Sequence, residues 1–381
     1  MHFEWDEDQL AFQGKLREFA STITDDVVAR DNDSEFSEEA WQRCAGFGVQ
    51  GMHMPRQFGG QEVADIRTAI LGMEGLGYGC RDGGLLLALN AQMWSVQLPI
   101  LHFGTDEQKE RFLPPLCNGT WKGAHGITEP GTGSDVFNMQ TTATRTEGGY
   151  ILNGTKCLVT LAPLADVALV VATVDSSKGK WGISTFLLER GFGGFSIGEN
   201  QLKMGLKTVP IGGLHMENCF VPESHRLGAE GSGFATFNHS LEFERCCILA
   251  SQVGTMQYQL EKAIKYVRER KQFGQPIGKF QSVSNRIADM KVRLETSRLL
   301  LYKVAWLKSQ GRSAMLEAAM LKLHLSECFL ESSMDLVRVH GGQGYLNELD
   351  VERDLRDAVG GVLYAGTSDI QRNIIAGLTG V

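Results

Sequence analysis

The hydrophobic period changes twice along this chain, and few folds accommodate both changes. Residues 6–30, 37–47, 65–77, 83–103 and 106–117 carry helical spacing broken by Gly, Pro and polar punctuation. Ser37-Glu38-Glu39 and Thr105-Asp106-Glu107-Gln108 read as helix starts, with capping oxygens followed by acidic residues. Near Trp121 the texture becomes short and β-rich: Tyr150–Gly154, Lys156–Leu161, Val167–Val174, Ile183–Glu189, Phe195–Ile197 and Leu214–Val221, separated by Gly or Asn-Gly turns. That spacing predicts a small antiparallel sheet or barrel, not βαβ units. From about residue 231 the helical period returns, over 281–311, 313–338, 349–358 and 367–378, with Ser368-x-x-Gln371 as a capping box for the last. The chain is therefore mixed and mainly α, with expected domains 1–120 (helical), 121–230 (β) and 231–381 (helical).

At 381 residues the chain exceeds what one compact core usually holds. Its net charge of −8, with no long Lys/Arg run, argues against nucleic-acid or membrane attraction. The acidic start Met1–Asp8 lacks the layout of a signal peptide, and no 18-residue apolar run predicts a bilayer span. The eight Cys are scattered without Cys-x-x-Cys or metal-ligand spacing, so reduced core thiols, a cytoplasmic setting and no metal are expected.

The segment opening the last third carries Leu241-Glu242-Phe243-Glu244-Arg245. Apolar Phe243, Cys246, Ala250, Val253, Leu260, Ile264 and Val267 recur at the spacing of one helix face. Glu242 and Glu244 lie roughly 200° apart around a helix, so the two cannot share a pocket. A carboxylate on the flank of a buried face loses hydration, and its pKa rises towards that of a base near neutrality. The same residues also fit a surface Glu paired with Arg245.

Neither Gly-x-Gly-x-x-Gly after a strand nor Gly-x-x-x-x-Gly-Lys-Ser/Thr occurs. Four other stretches offer backbone or cationic sites. Ile127-Thr128-Glu129-Pro130-Gly131-Thr132-Gly133-Ser134-Asp135 has hydroxyls and glycines for close approach, and it equally fits a hairpin turn. Arg268-Glu269-Arg270-Lys271-Gln272-Phe273-Gly274, followed by Gln281, could meet a pyrophosphate and an adenine, and also suits a helix C-terminus. His340-Gly341-Gly342-Gln343-Gly344-Tyr345 is a Gly loop or plain interhelical turn. Tyr364-Ala365-Gly366-Thr367-Ser368-Asp369 presents amides and a hydroxyl at a helix N-terminus.

In this order and spacing, these stretches resemble the acyl-CoA dehydrogenase superfamily over essentially the whole chain. The resemblance implies FAD, a C-terminal four-helix bundle and a homotetramer built as a dimer of dimers. It places Ile127, Thr128, Gly133, Ser134, Leu158, Thr160, Gly341, Gly342, Thr367 and Asp369 at the cofactor, with Thr160 near flavin N5. Arg270, Gln272, Phe273 and Gln281 would reach the adenine-dinucleotide end across the dimer interface, and Arg245, Tyr364 and Gly366 would meet substrate. The implied reaction is α,β-dehydrogenation of a thioester, with electron-transfer flavoprotein or oxygen as final acceptor.

Many members carry the base immediately before Gly-Thr-Ser, where this chain has Ala365, which retains only its backbone N–H. The isovaleryl and long-chain branches carry it at the position matching Glu244. Glu244 is thus the expected base, Ala365 the oxyanion donor and Glu242 structural. Leu158 and Leu161 replace a common aromatic and Asn, which makes the cofactor wall more apolar.

Leu76–Gly84, Asn138-Met139-Gln140 and Gly278–Arg286 look like the prolyl-carrier-protein dehydrogenases of natural-product pathways, although Phe243 stands where that subgroup tends to have Trp. A carrier-protein-tethered acyl or aminoacyl thioester is expected. The alternatives are a short- or branched-chain acyl-CoA dehydrogenase, a flavin monooxygenase and a silent flavin-binding homologue.

Overall fold

A computed structural model describes residues 4–61 and 65–381, so Met1–Phe3 of the acidic start lie outside the described residues. Helices α1 (Glu7–Ala20), α2 (Val27–Asp33), α3 (Glu38–Phe47), α4 (Ile66–Gly79), α5 (Gly83–Asn90), α6 (Leu98–Phe103) and α7 (Asp106–Cys117) form the first part. The single helix expected over 6–30 is two. The Ser21 and Thr22 hydroxyls donate back to the Glu18 and Phe19 carbonyls, a local bond that competes with helix continuation. Ser37 caps α3, and Thr105 with Gln108 forms the reciprocal capping box of α7.

Between α5 and α6 the helix widens into a π segment, Ala91–Gln97. Pro99 lies four residues after Ser95. It has no N–H for the Ser95 carbonyl, and its ring crowds that position, so a wider turn relieves the clash. The run Gly83–Phe103 is apolar and long enough to cross a membrane, contrary to the expectation that no such run exists, but 83% of its apolar window is buried inside the protein.

The middle of the chain forms β1 (Gly123–Gly126), β2 (Thr142–Thr146), β3 (Gly149–Thr160), β4 (Val167–Thr173), β5 (Ile183–Glu189), β6 (Phe195–Ile197), β7 (Ile211–Pro222) and β8 (Arg226–Leu227). They make one sheet in the order β6-β7-β3-β2-β4-β5-β8, with β1 paired to β4. The sheet is not purely antiparallel as expected: β1 runs parallel to β4, and β2 meets β4 in parallel at Thr142–Thr173. Hydrophobic alternation reports which face is buried, not strand direction, so the sequence carried no sign of this. Tyr150–Gly154 and Lys156–Leu161 form one strand, because register shifts absorb the irregularity that read as a break.

Helices α8 (Gly233–Cys247) and α9 (Ala250–Glu269) follow, then a hairpin of β9 (Lys271–Gln272) and β10 (Gln275–Pro276), and helices α10 (Gln281–Ser309), α11 (Met315–His340), α12 (Val351–Gly361) and α13 (Ser368–Thr379). The apolar face from Phe243 to Val267 thus spans two helices that break at Ile248–Leu249. Ser368 is not the cap of α13. Thr367 Oγ1 accepts from the Ile370 amide, while Gln371 turns back to the Ala365 and Gly366 carbonyls. Of the two readings of His340–Tyr345, the interhelical turn is the one found: Gly341–Tyr345 closes into a 3₁₀ turn between α11 and α12. The cysteines form no disulfide, and Cys157 and Cys328 are only partly buried, so not all eight are core thiols.

Helices from both ends share one core, in which Leu16, Trp41, Met73 and Trp94 meet Val253, Leu301 and Leu325. The sheet has its own core around Tyr150, Phe186 and Leu214. The two helical parts meet most closely where α4 crosses α9. A Cβ on Gly77 would sit 1.9 Å from the Ser251 carbonyl, and one on Gly254 equally close to that of Glu74. Across this contact Thr255 Oγ1 donates to the Gly77 carbonyl at 3.1 Å. Gly254→Ala should therefore force the helices apart and cost about 1–3 kcal/mol, read as a lower urea midpoint; an unmoved midpoint would mean that the crossing is not tight.

Candidate active site

Glu244 lies near the end of α8, one turn before the α8–α9 break, and its carbonyl accepts from the Ile248 amide. The residue keeps a fraction of its surface accessible, but Oε2 is shielded from solvent and accepts no hydrogen bond among the described residues. Burial pushes this carboxyl up to about 7. Neighbouring Arg245, the Ser95 hydroxyl on the π segment and Lys322 of α11 favour the charged form without overcoming that effect. Lys322 is itself fully buried, with an unpartnered Nζ, and burial lowers it to about 8. Arg245 is buried with Nε unpartnered. Glu242 points elsewhere: it pairs with Lys308 at 2.7 Å and accepts from the Ala314 amide at 2.6 Å. One carboxylate is committed to helix packing, and the other keeps an oxygen free of partners among the described residues.

The turn before α13 carries Tyr364, on whose phenol Glu244 acts electrostatically. Ala365 and Gly366 both have left-handed backbones, φ 54° and 85°. At Gly366 a Cβ would lie 2.6 Å from Gln371 Nε2, so glycine is required there. The Ala365, Gly366 and Thr367 amides donate to no group among the described residues, and these half-buried donors remain open to solvent or a ligand. Tyr364 itself packs into the core shared by the helices. Asp369 is exposed and pairs with Arg372.

A buried ion pair anchors the 127–135 loop. Lys156 Nζ meets Glu129 Oε1 at 2.7 Å and donates to the Ile127 carbonyl, while the Glu129 carboxylate also accepts the Gln140 and Thr141 amides. The Cys157 amide donates to the Thr128 carbonyl at 2.8 Å, which sets Thr128 beside the end of β3 that carries Leu158 and Thr160. Leu158 is 62% exposed with φ 56°, and a Cβ on Gly131 would meet nothing within 4 Å, while Gly133 is nearly as open. This edge has hydroxyls, open glycines and an exposed apolar side chain, which suits a flat polar-rimmed ring such as a flavin. Ser134 is exposed at the same loop.

Arg270, Gln272, Phe273 and Gln281 form a separate exposed group on the α9–α10 hairpin. Phe273 is 93% exposed with φ 52° and meets Phe280 edge-on. Gly341 and Gly342 are likewise open, since a Cβ on either would meet nothing within 4 Å. The structure therefore brings together Ile127, Thr128, Gly133, Ser134, Leu158 and Thr160 on one edge, and Glu244, Arg245, Tyr364, Ala365 and Gly366 in one core region. Sequence reading missed Ser95, Lys322 and the Glu129–Lys156 pair. Pro99 could have flagged Ser95, whereas nothing local marks Lys322.

Residues 6–120 match the acyl-CoA dehydrogenase N-terminal domain, 124–219 the middle domain and 231–378 the C-terminal domain. The chain belongs to the acyl-CoA dehydrogenase family, whose members are FAD-dependent oxidoreductases acting on CH–CH bonds. An L-prolyl-[peptidyl-carrier protein] dehydrogenase of Pseudomonas fluorescens is 39% identical over 99% of both chains. The prolyl acyl carrier protein oxidase AnaB superposes with a TM-score of 0.98 at 46% identity, over 99% of this chain and 100% of that one. The FAD complex of PigA gives a TM-score of 0.97 at 38% identity, over 100% and 99%.

Two predictions concern Glu244. Glu244→Gln should retain bound FAD but slow anaerobic flavin reduction by thioester by about 10²–10⁴-fold or more; unchanged reduction would reassign the base. Because the carboxyl must be deprotonated to accept a proton and titrates at about 7, the reduction rate should fall about tenfold per unit below that pH and level off above it. A flat profile from pH 5 to 9 would contradict this.

Proposed function

We propose that the chain oxidises a small aminoacyl group, prolyl or closely similar, held as a thioester on the phosphopantetheine arm of a carrier protein in a natural-product pathway. The carrying observation is a Glu244 carboxyl whose Oε2 is shielded and unpartnered among the described residues, together with an Ala365 that offers no acid or base of its own, which supports proton removal from the α8 side. In this reading Glu244 takes the α proton. The Ala365 amide donates to the thioester oxygen as negative charge develops there, a stabilisation that acts only while a donor is already in position. Arg245 helps to keep the carboxylate charged before substrate arrives, and the surrounding core excludes water. FAD, when bound, accepts the β hydrogen with its electron pair. Thr128, Ser134 and Thr160 would hold the flavin end, and Arg270, Gln272, Phe273 and Gln281 the adenine end of a partner copy. The exposed Phe273 and Tyr345 support a homotetramer on this basis.

The carrier-protein tether rests on the similarity to prolyl-carrier-protein enzymes along the whole chain. Similarity to proteins called both dehydrogenase and oxidase leaves electron-transfer flavoprotein and oxygen as acceptor classes, and the reduced thiols fit a cytoplasmic enzyme. The test is anaerobic flavin bleaching by prolyl- and acyl-carrier proteins beside matched CoA esters. Bleaching should be fastest with an aminoacyl carrier protein; preference for a CoA ester would replace this reading with acyl-CoA oxidation.

A further inference from the structure

The turn before α13 is held from behind by one buried side chain. Gln371, in the first turn of α13, is fully buried, and its Nε2 donates to both the Ala365 and the Gly366 carbonyl at 3.1 Å. Both N–H bonds of that nitrogen are thereby used, while Oε1 is buried and accepts nothing among the described residues. The opposite orientation of the amide would set its oxygen against two carbonyl oxygens, so the bonding pattern itself fixes which end is nitrogen. These bonds are not what starts the helix. Thr367 Oγ1 already caps α13 at the Ile370 amide, and the Ser368 amide closes the turn on the Val362 carbonyl at 3.0 Å. The Gln371 bonds go to the two left-handed residues alone.

They act on the open donors through the geometry of the peptide unit. A trans peptide points its C=O and the next residue's N–H in opposite directions. No described peptide bond is cis, so drawing the Ala365 and Gly366 oxygens towards Gln371 turns the Gly366 and Thr367 N–H groups away from it. Ala365 is the point of strain: its φ of 54° is disfavoured for any residue with a Cβ, and the peptide plane that follows it is one that Gln371 holds. Released from that hold, Ala365 would relax towards an ordinary backbone, and its own N–H would swing with the turn.

We propose that Gln371 is a positioning residue for the reaction: it keeps Ala365 in the left-handed conformation, so that the Ala365 amide is already aimed when negative charge develops on the thioester oxygen. It acts through the turn and not on the reacting atoms. A donor fixed in advance stabilises that charge without reorganising at the moment of reaction, so losing the hold is felt in the chemical step more than in binding. This deepens the proposed role of the Ala365 amide and rests on it.

The test uses FAD-loaded enzyme and 3-oxobutanoyl-pantetheine, a thioester that enolises readily and whose enolate, bound against oxidised flavin, absorbs at long wavelength. At pH 7 the ratio of bound enolate to bound ketone reports how well the donors meet a negative oxygen. Gln371→Leu, similar in size but without donors, should lower that ratio by about tenfold or more. It should lower kcat for anaerobic flavin reduction by prolyl-pantetheine by a similar factor, with KM changed less than about threefold. Adding Ala365→Gly should restore part of the ratio, because glycine adopts a positive φ without a Cβ clash. A ratio in Gln371→Leu equal to that of wild type, or a loss carried by KM alone, would overturn the positioning role and leave the dehydrogenase reading standing. Loss of FAD or of folding in both Gln371→Leu and Gln371→Met would do the same, by assigning the side chain to stability alone. A wild-type enzyme that binds the ligand without raising its enolate fraction above that in solution would sink the proposed Ala365 role as well.

Discussion

The proposed chemistry of this fold depends on the removal of water from one carboxylate. A solvated glutamate is almost fully ionised at neutral pH and too weak a base to take a carbon-bound proton efficiently. Shielding Oε2 of Glu244 without giving it a hydrogen-bond partner raises its affinity for a proton to about the working pH. Arg245 and Lys322 then limit the shift, so that the group is neither permanently neutral nor permanently charged. Glu242, two residues away on the same helix, shows the opposite outcome: an ion pair with Lys308 and a backbone amide both hold its Oε1.

That environment is assembled from separated parts of the chain. The π segment brings Ser95 to the carboxyl, and its cause is a proline four residues further on. The glycine-to-backbone contacts between α4 and α9 bring the N-terminal helices, and with them the π segment, against the helices that carry Glu244. The loop with Thr128 owes its position to the buried Glu129–Lys156 pair, which also satisfies two amides and a carbonyl. Breaking such a pair by removing one partner is costly, because the remaining charge stays buried. The proposed cofactor edge and the proposed base are thus held by different kinds of force, ionic for the loop and apolar packing for α8.

Much of the architecture was legible because period and punctuation agreed. Thr105 with Gln108 announced α7, and the runs 167–174 and 183–189 became β4 and β5 almost residue for residue. Legibility failed where local signals conflict or are silent. The Ser21–Thr22 hydroxyls divided a helical pattern, bulges in β3 imitated a strand end, and the parallel β1–β4 pairing left no trace in alternation. At the candidate site, helical geometry separated Glu242 from Glu244, and the glycine-rich stretches marked the open backbone at 341–342 and the left-handed turn at 365–366. Lys322 stayed invisible, because a buried polar residue on a helix reads like any other until its neighbours from distant segments are known.

The central claim is that position 244 holds a carboxyl whose proton affinity is set by burial. Carbon-13 NMR of FAD-loaded enzyme labelled at the glutamate side-chain carboxyl, titrated from pH 4 to 9 beside Glu244→Gln, tests it directly. One resonance should titrate at about 7 and be missing from the variant. If every glutamate carboxyl titrates below about 5, in the ordinary solvated range, the account is contradicted.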